Sequence, residues 1–348
     1  MVSNRSIMRF ITVIFSLFFL SVAAVAHHAR FTYDDSKLVE VRGTVRSALW
    51  QNPHIRFTVS SVEGGQEELW EMEGLSVNAM ERTGINSESF GVGDNVAVLG
   101  LLSVRDKNSL LPILMTTESG QKLALSRDRA RAFGLLQEST QPVPPVANEK
   151  EIELAIREAN GIYRVWTNTG RTGSGLSLPL TDAARSAKEN WNQPTDDISL
   201  LCEPAGMPEA MLSPFPIELL EQDDKIIVRL EEWDNVRVIH MGTGSNVTNG
   251  QAAPLGYSVG RWENGTLIVR TIDINYPYLD DRGTPQSEAV EIVEHFTLSE
   301  DETRLDWVAT VVDPNTFTEP VTLPMMHWEW LPGEKIKPFN CTLDDDSQ

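Results

Sequence analysis

The chain has 348 residues, 41% of them hydrophobic and 23% charged, with a formal net charge of −21 and a pI near 4.7. That is a globular composition, far from a disordered one, and its length corresponds to about two domains. The negative balance excludes a general binder of nucleic acid or of anionic membrane, since both would be repelled.

Residues 1–26 read as a secretory signal peptide. Arg5 and Arg9 give a positive start, Ile11 to Leu20 an apolar run, and Ala24-Val25-Ala26 an A-x-A cleavage site. Cleavage there predicts an exported protein, periplasmic or secreted, that begins at His27 and has no membrane-inserted segment.

The next stretch alternates with a period of two. Val39 to Val45, Ile55 to Val59 and Leu69 to Leu75 predict three strands. Ser76 to Arg82 predicts a short capped helix ending at Gly84, and Val96 to Gly100 and Pro112 to Thr117 predict two more strands. Three strands, a helix, then two strands is the element order of the OB-fold, a small Greek-key barrel, here over residues 27–136.

Gln137 to Asn148 reads QESTQPVPPVAN, a polar, proline-rich linker placed at 137–150. Charge divides across it: residues 27–136 carry 12 Lys and Arg against 14 Asp and Glu, and residues 137–348 carry 15 against 36. Residues 151–348 predict an acidic, mainly antiparallel domain. Its candidate strands are 161–167, 216–221, 225–232, 236–241, 257–263, 266–273, 289–298, 303–312 and 321–330, with one exposed helix at Thr181–Trp191. Asn264-Gly265 is the preferred type I′ hairpin dipeptide. The fold class is therefore all-β with few helices: a small OB-fold-like barrel, then a larger calycin-like β-barrel or β-sandwich. Seven of the nine tryptophans fall in the second half, where they line either a core or a ligand cavity.

Several residues carry chemistry. Cys202 and Cys341, an even pair in an exported chain, read as one disulfide, worth about 4–5 kcal/mol in the chain-entropy picture for so long a loop. A mature chain starting at His27 offers its α-amine and imidazole to one metal ion, a chelate suited to copper(II). His54, in Trp50-Gln51-Asn52-Pro53-His54, is the further imidazole that completes a histidine brace, with His28 assisting. Pro53 holds Asn52 in an extended or turn conformation, which sets His54 at the head of the second strand.

Gly256-Tyr257-Ser258-Val259-Gly260 matches the G-x-S-x-G nucleophile elbow, and Asp280 or Asp281 with His295 completes a triad in chain order. A strand and a hairpin follow Gly260 where the motif requires a helix, so a glycine-flanked β turn is the competing reading. His240, His295 and His327 sit in separate strands without ligand spacing. Glu294 and Glu329 are either buried carboxylates or edge charges.

His27-His28, Gly43-Thr44-Val45, Trp50-x-Asn52-Pro53-His54 and Val92-Gly93-Asp94 together resemble a family of exported bacterial domains of unknown function. Cys202-x-Pro204-x-Gly206-Met207-Pro208 and Ser258-Val259-Gly260-Arg261-Trp262-Glu263-x-Gly265-Thr266-Leu267 resemble a second uncharacterised secreted bacterial family. These resemblances imply export and a bacterial source and bring no activity with them.

The expectation is thus an exported binding protein holding copper through His27, His28 and His54, with a small ligand or a protein as the second domain's partner. Its alternatives are a carrier of lipid or another small apolar ligand, and an enzyme, either a copper oxygenase or a Ser258 esterase. The sequence does not locate a ligand pocket.

Overall fold

Alternating apolar residues generate the first unit strand by strand. In the computed structural model, which describes residues 33–104, 106–136, 146–172, 177–242 and 251–343, a long strand β1 (Tyr33–Leu49) forms its spine. Then come β2 (Arg56–Glu63), β3 (Gln66–Glu73), a helix α1 (Val77–Arg82), β4 (Asn95–Ser103), β5 (Ser109–Thr117) and a short β6 (Lys122–Ala124). The ladder runs β3-β2-β1-β4-β5, and a parallel pairing of β3 with β5 closes it into a five-stranded barrel. With α1 between β3 and β4, this is the OB-fold arrangement the element order predicts.

The spine bends where its register slips, between Tyr33 and Leu38 and between Val45 and Ser47. Gly43 permits the close crossing with β2, since a Cβ there would lie 2.0 Å from the Ser60 carbonyl oxygen. Val45, Phe57, Val59, Met72, Val98, Leu110 and Met115 fill the interior. Ser76 caps α1 by accepting from the Ala79 N–H at 3.1 Å, and Asn78 and Met80 lie on its buried side.

Two helices flank the stretch expected to be linker. They are α2 (Arg127–Ala132) and α3 (Glu149–Glu158), of which α3 opens with an Asn148–Glu151 capping box. The linker therefore ends in a helix start, and residues 137–145 lie outside the described residues. No residue of α3 is buried, and its first two residues fall inside the stretch expected to be linker.

The second unit contains β7 (Val165–Thr172), α4 (Asp182–Asn190) and α5 (Gln193–Asp196). Next are β8 (Ile217–Gln222), β9 (Lys225–Leu230), β10 (Asn235–Met241), β11 (Tyr257–Glu263) and β12 (Thr266–Ile272). It ends with β13 (Glu291–Leu298), β14 (Arg304–Val312), β15 (Val321–Thr322) and β16 (Met325–Glu329). Glu263-Asn264-Gly265-Thr266 makes the expected tight hairpin, with both central residues at positive φ. β7 begins later than the expected 161–167 because Gly161 to Arg164 folds into turns.

The ladder β13-β12-β11-β10-β9-β8-β7-β16-β14 closes through β13–β14 into a nine-stranded barrel, with β15 attached to β14. An odd ring cannot alternate strand direction at every seam. One parallel pair is forced, and it falls at β10–β11, where Ile239 faces Ser258. The simple up-and-down path is broken there, and again where β16 inserts between β7 and β14.

Side chains pack the large barrel's interior. Trp166, Trp307 and Trp328 have no solvent exposure and pack with Leu219, Val228, Ile239, Val269 and Phe296, so these tryptophans are core and not the lining of an open calycin-like cavity. Among them lies one charged pair. Arg237 clasps Glu294, donating through Nη1 at 2.8 Å and again through Nη2, and Trp307 Nε1 donates to the same carboxylate at 3.0 Å. Arg237→Ala leaves Glu294 buried without its cation and is expected to cost about 3–5 kcal/mol in urea unfolding. Arg237→Met combined with Glu294→Leu should regain most of that loss. An Arg237→Ala chain as stable as its parent contradicts the clasp.

Candidate functional site

The Trp50–His54 turn connects β1 to β2, and its peptide Asn52–Pro53 is cis. His54 leaves this turn two residues before β2 begins. Ile55 is tied to β3's end by hydrogen bonds to Leu75 and Gly74, which brings the Gly74 carbonyl under the imidazole. His54 Nδ1 lies 2.9 Å from that oxygen. A carbonyl only accepts, so Nδ1 is the donor in this contact. Glu73 Oε1 stands 4.0 Å from the same Nδ1.

Tyr33, the first described residue, belongs to the same neighbourhood. Burial, and after it the charge of Glu73, pushes its hydroxyl up to about 12. His27 and His28 lie outside the described residues. Glu73 was not singled out in the sequence, where it is one of four acidic residues in the run Gln66–Glu73, and nothing local marks it.

The serine of G-x-S-x-G occupies a different environment from a nucleophile elbow. Ser258 is the second residue of β11, buried, on the barrel's inner face. Its Oγ accepts from Arg237 Nε at 3.1 Å and Nη2 at 3.0 Å and lies 3.0 Å from the Thr271 hydroxyl. The chain continues as strand and hairpin, so no turn lifts the hydroxyl toward a substrate.

His295 alternates with the inward Glu294 and so faces the other side of β13. Asp280 caps its own loop through the Arg282 and Thr284 N–H groups and the Thr284 hydroxyl. The Ser258–Asp280/Asp281–His295 triad therefore does not assemble, and Ser258 completes the arginine clasp instead. Glu294 is a buried carboxylate, and Glu329 is exposed.

The other histidines stay apart. His240 stacks on Tyr257 with ring centroids 4.8 Å apart, and His327 Nδ1 pairs with Asp306 at 2.6 Å. Among the described residues, no group of three or more His, Cys, Asp or Glu is placed to hold a metal. Cys202 and Cys341 are at disulfide-bonding distance, with Cα atoms 5.7 Å apart.

Asn52 gathers the densest polar contacts of the turn, and its role went unread in the sequence. Its side chain donates to Asn78 Oδ1 at 3.0 Å and to the Phe339 carbonyl, and accepts from the Val77 N–H at 2.8 Å. Asn52 also forms a parallel bridge with Cys341. Beside it, Arg82 grips the fully buried Glu231 through Nη1 at 2.5 Å and Nη2 at 2.6 Å, and Asn78 adds a third donor at 3.0 Å. A cleft of about 450 Å³ opens here between the small barrel and residues 337–342, lined by Trp50, Gln51, Asn78, Glu81, Phe339 and Asn340 among others.

The Cys202–Pro208 motif supports a second buried group. Glu209 accepts from the Tyr276 hydroxyl at 2.9 Å. Gly206 makes room for that tyrosine, since a Cβ would fall 2.4 Å from its ring. Burial above all, with the charges of Asp281, Asp197 and Glu232, pushes the Glu209 carboxyl up to about 8.

Its folded value is thus raised above the usual 4.5, so its contribution to stability is complete below pH 4.5 and is lost as pH rises toward 8. Unfolding free energy measured by denaturant at successive pH values should fall across that window. Glu209→Gln should flatten the decline, and an identical slope in parent and variant contradicts the assignment.

A family model described as a family of unknown function (DUF6152) matches residues 16–109, which hold β1 to β4, α1 and the His54 turn. No curated protein and no solved structure matches the chain.

Proposed function

We propose that this is an exported two-barrel binding protein whose small barrel holds copper(II) between His54 and the processed N-terminus at His27, with His28 assisting. The observation that carries this reading is the His54 Nδ1–Gly74 carbonyl contact at 2.9 Å. Imidazoles that ligate a metal are oriented in this way, with one nitrogen engaged by a backbone carbonyl and the other directed to the ion.

Tyr33 is six positions beyond His27, a reach of up to about 20 Å when extended. Tyr33 lies within reach of the Glu73 charge, and Glu73 is 4.0 Å from His54. The paired cysteines and the A-x-A cleavage site suit the oxidising compartment in which such a chain would be processed. No helix among the described residues is long and apolar enough to cross a membrane. A copper oxygenase would use the same ligands. An apolar-ligand carrier would need the space that the large barrel fills with tryptophan.

Titration of copper(II) by calorimetry into the chain processed after Ala26 should give submicromolar affinity, and His54→Ala should weaken it at least tenfold. Protons compete for the amine and the imidazoles, so affinity should also fall as pH is lowered from 7.5 to 5.5. Micromolar or weaker binding that His54→Ala leaves unchanged overturns the proposal.

A further inference from the structure

Residues 335–342 lie in a second cleft, between the two barrels, whose two walls divide the work by chemistry. Across residues 335–342 the small barrel addresses mainly the carbonyls. Arg82 donates to the Lys335 oxygen at 3.2 Å, Asn78 to the Pro338 oxygen at 3.2 Å, Asn52 to the Phe339 oxygen and Gln51 to the Thr342 oxygen at 3.2 Å. The large barrel addresses the amides. Glu231 accepts from the Lys337 N–H at 2.9 Å, and Asp234 from the N–H groups of Phe339 and Asn340 at 2.9 and 3.1 Å.

One side chain is read deeply. Phe339 is buried, with its ring 5.1 Å from Trp233 and 5.4 Å from Phe215. Main-chain contacts on both edges and a pocket for one aromatic are the general features of extended-peptide recognition.

We infer that this cleft is a peptide-binding site occupied in cis by the chain's own tail, with the Cys202–Cys341 disulfide as its catch. The walls are joined without the tail, because Arg82 and Asn78 bind Glu231 directly, so the cleft persists when the tail leaves. The tail is covalently attached on its N-terminal side through β16. The disulfide adds a second anchor at the other end and raises the tail's effective concentration in the cleft.

Both cysteines are half-buried, and the reductant is an exported dithiol. One thiolate of that dithiol attacks a sulfur of the pair, forming a mixed disulfide and releasing the other cysteine. Its second thiol then attacks the donor's own sulfur in that mixed disulfide and expels the remaining cysteine of this chain, which leaves two cysteine thiols here and a disulfide on the donor, with two electrons and two protons transferred. The vacated cleft then takes an extended segment of another chain that carries an aromatic residue at the Phe339 position.

The probe is a fluorescein-labelled peptide copying Glu334–Leu343 with Cys341→Ser, followed by anisotropy on the full processed chain. Saturable binding should be at least tenfold tighter to the reduced chain, and to the Cys202→Ser/Cys341→Ser chain, than to the oxidised one. Phe339→Ala in the peptide should cost at least tenfold. In parallel, the 337, 339 and 340 amides of the unaltered chain should exchange hydrogen at least tenfold faster after reduction. Equal or absent peptide binding in the two redox states, or amide exchange unchanged by reduction, overturns the inference. Neither readout involves copper, so both are independent of the His54 proposal.

Discussion

Glu231 is a carboxylate with no contact with water, and the relation between the two barrels follows from how that charge is met. Removing such an ion from solvent costs several kcal/mol unless a cation and further donors replace the lost hydration. Its own barrel supplies neither among the contacts described above. Arg82 and Asn78 come from the helix of the small barrel, and the fourth donor is the Lys337 amide of the tail. Undocking would strip Glu231 of its cation, and so this buried pair fixes the small barrel against the large one, with Arg82–Glu334 and Glu81–Lys337 contacts beside it. The second buried pair, Arg237 with Glu294, is met wholly within one barrel and shapes only that barrel's interior.

Closure imposes a second constraint. Both rings have an odd number of strands, so each must contain one parallel seam, at β3–β5 and at β10–β11. A parallel seam needs a longer connection than a hairpin provides. In the small barrel the connection from β3 to β5 carries α1, which puts Asn78 and Arg82 beside the Asn52 turn. The donor wall of the cleft is thus a consequence of how five strands close.

Local pattern made most of this architecture legible. Period-two alternation located most strands of both halves, although β1 starts six residues before Val39, β6 was not expected and the expected 321–330 strand is β15 and β16, and Ser76 and Thr181 marked helix starts through their capping chemistry. What escaped was whatever depends on partners distant in sequence. Glu231 reads as an ordinary member of an acidic run, although it is fully buried and met by four donors. Asn52 reads as the residue before a proline, and the distance to its partner Phe339 is 287 residues. The G-x-S-x-G spacing was visible, but the arginine that engages its serine lies 21 residues upstream on a neighbouring strand. α3 escaped although its residues are amphipathic at the helical period and its Asn148–Glu151 capping box is local.

The Trp50–His54 turn thus carries two unlike duties within three residues. Asn52 points toward the cleft and is saturated by backbone and amide partners, while His54 emerges on the side of Glu73 and Gly74. A turn pinned by Asn52 cannot drift, and an imidazole two residues later inherits that fixity. Whatever engages His54 therefore meets a pre-positioned ring, and less of its binding free energy is spent on ordering the protein. The same rigidity makes the state of the tail felt at His54, because Asn52 holds the Phe339 carbonyl and the bridge to Cys341. Loosening the tail would free one anchor of the turn, so the cleft and the imidazole share a mechanical element even though their chemistries differ.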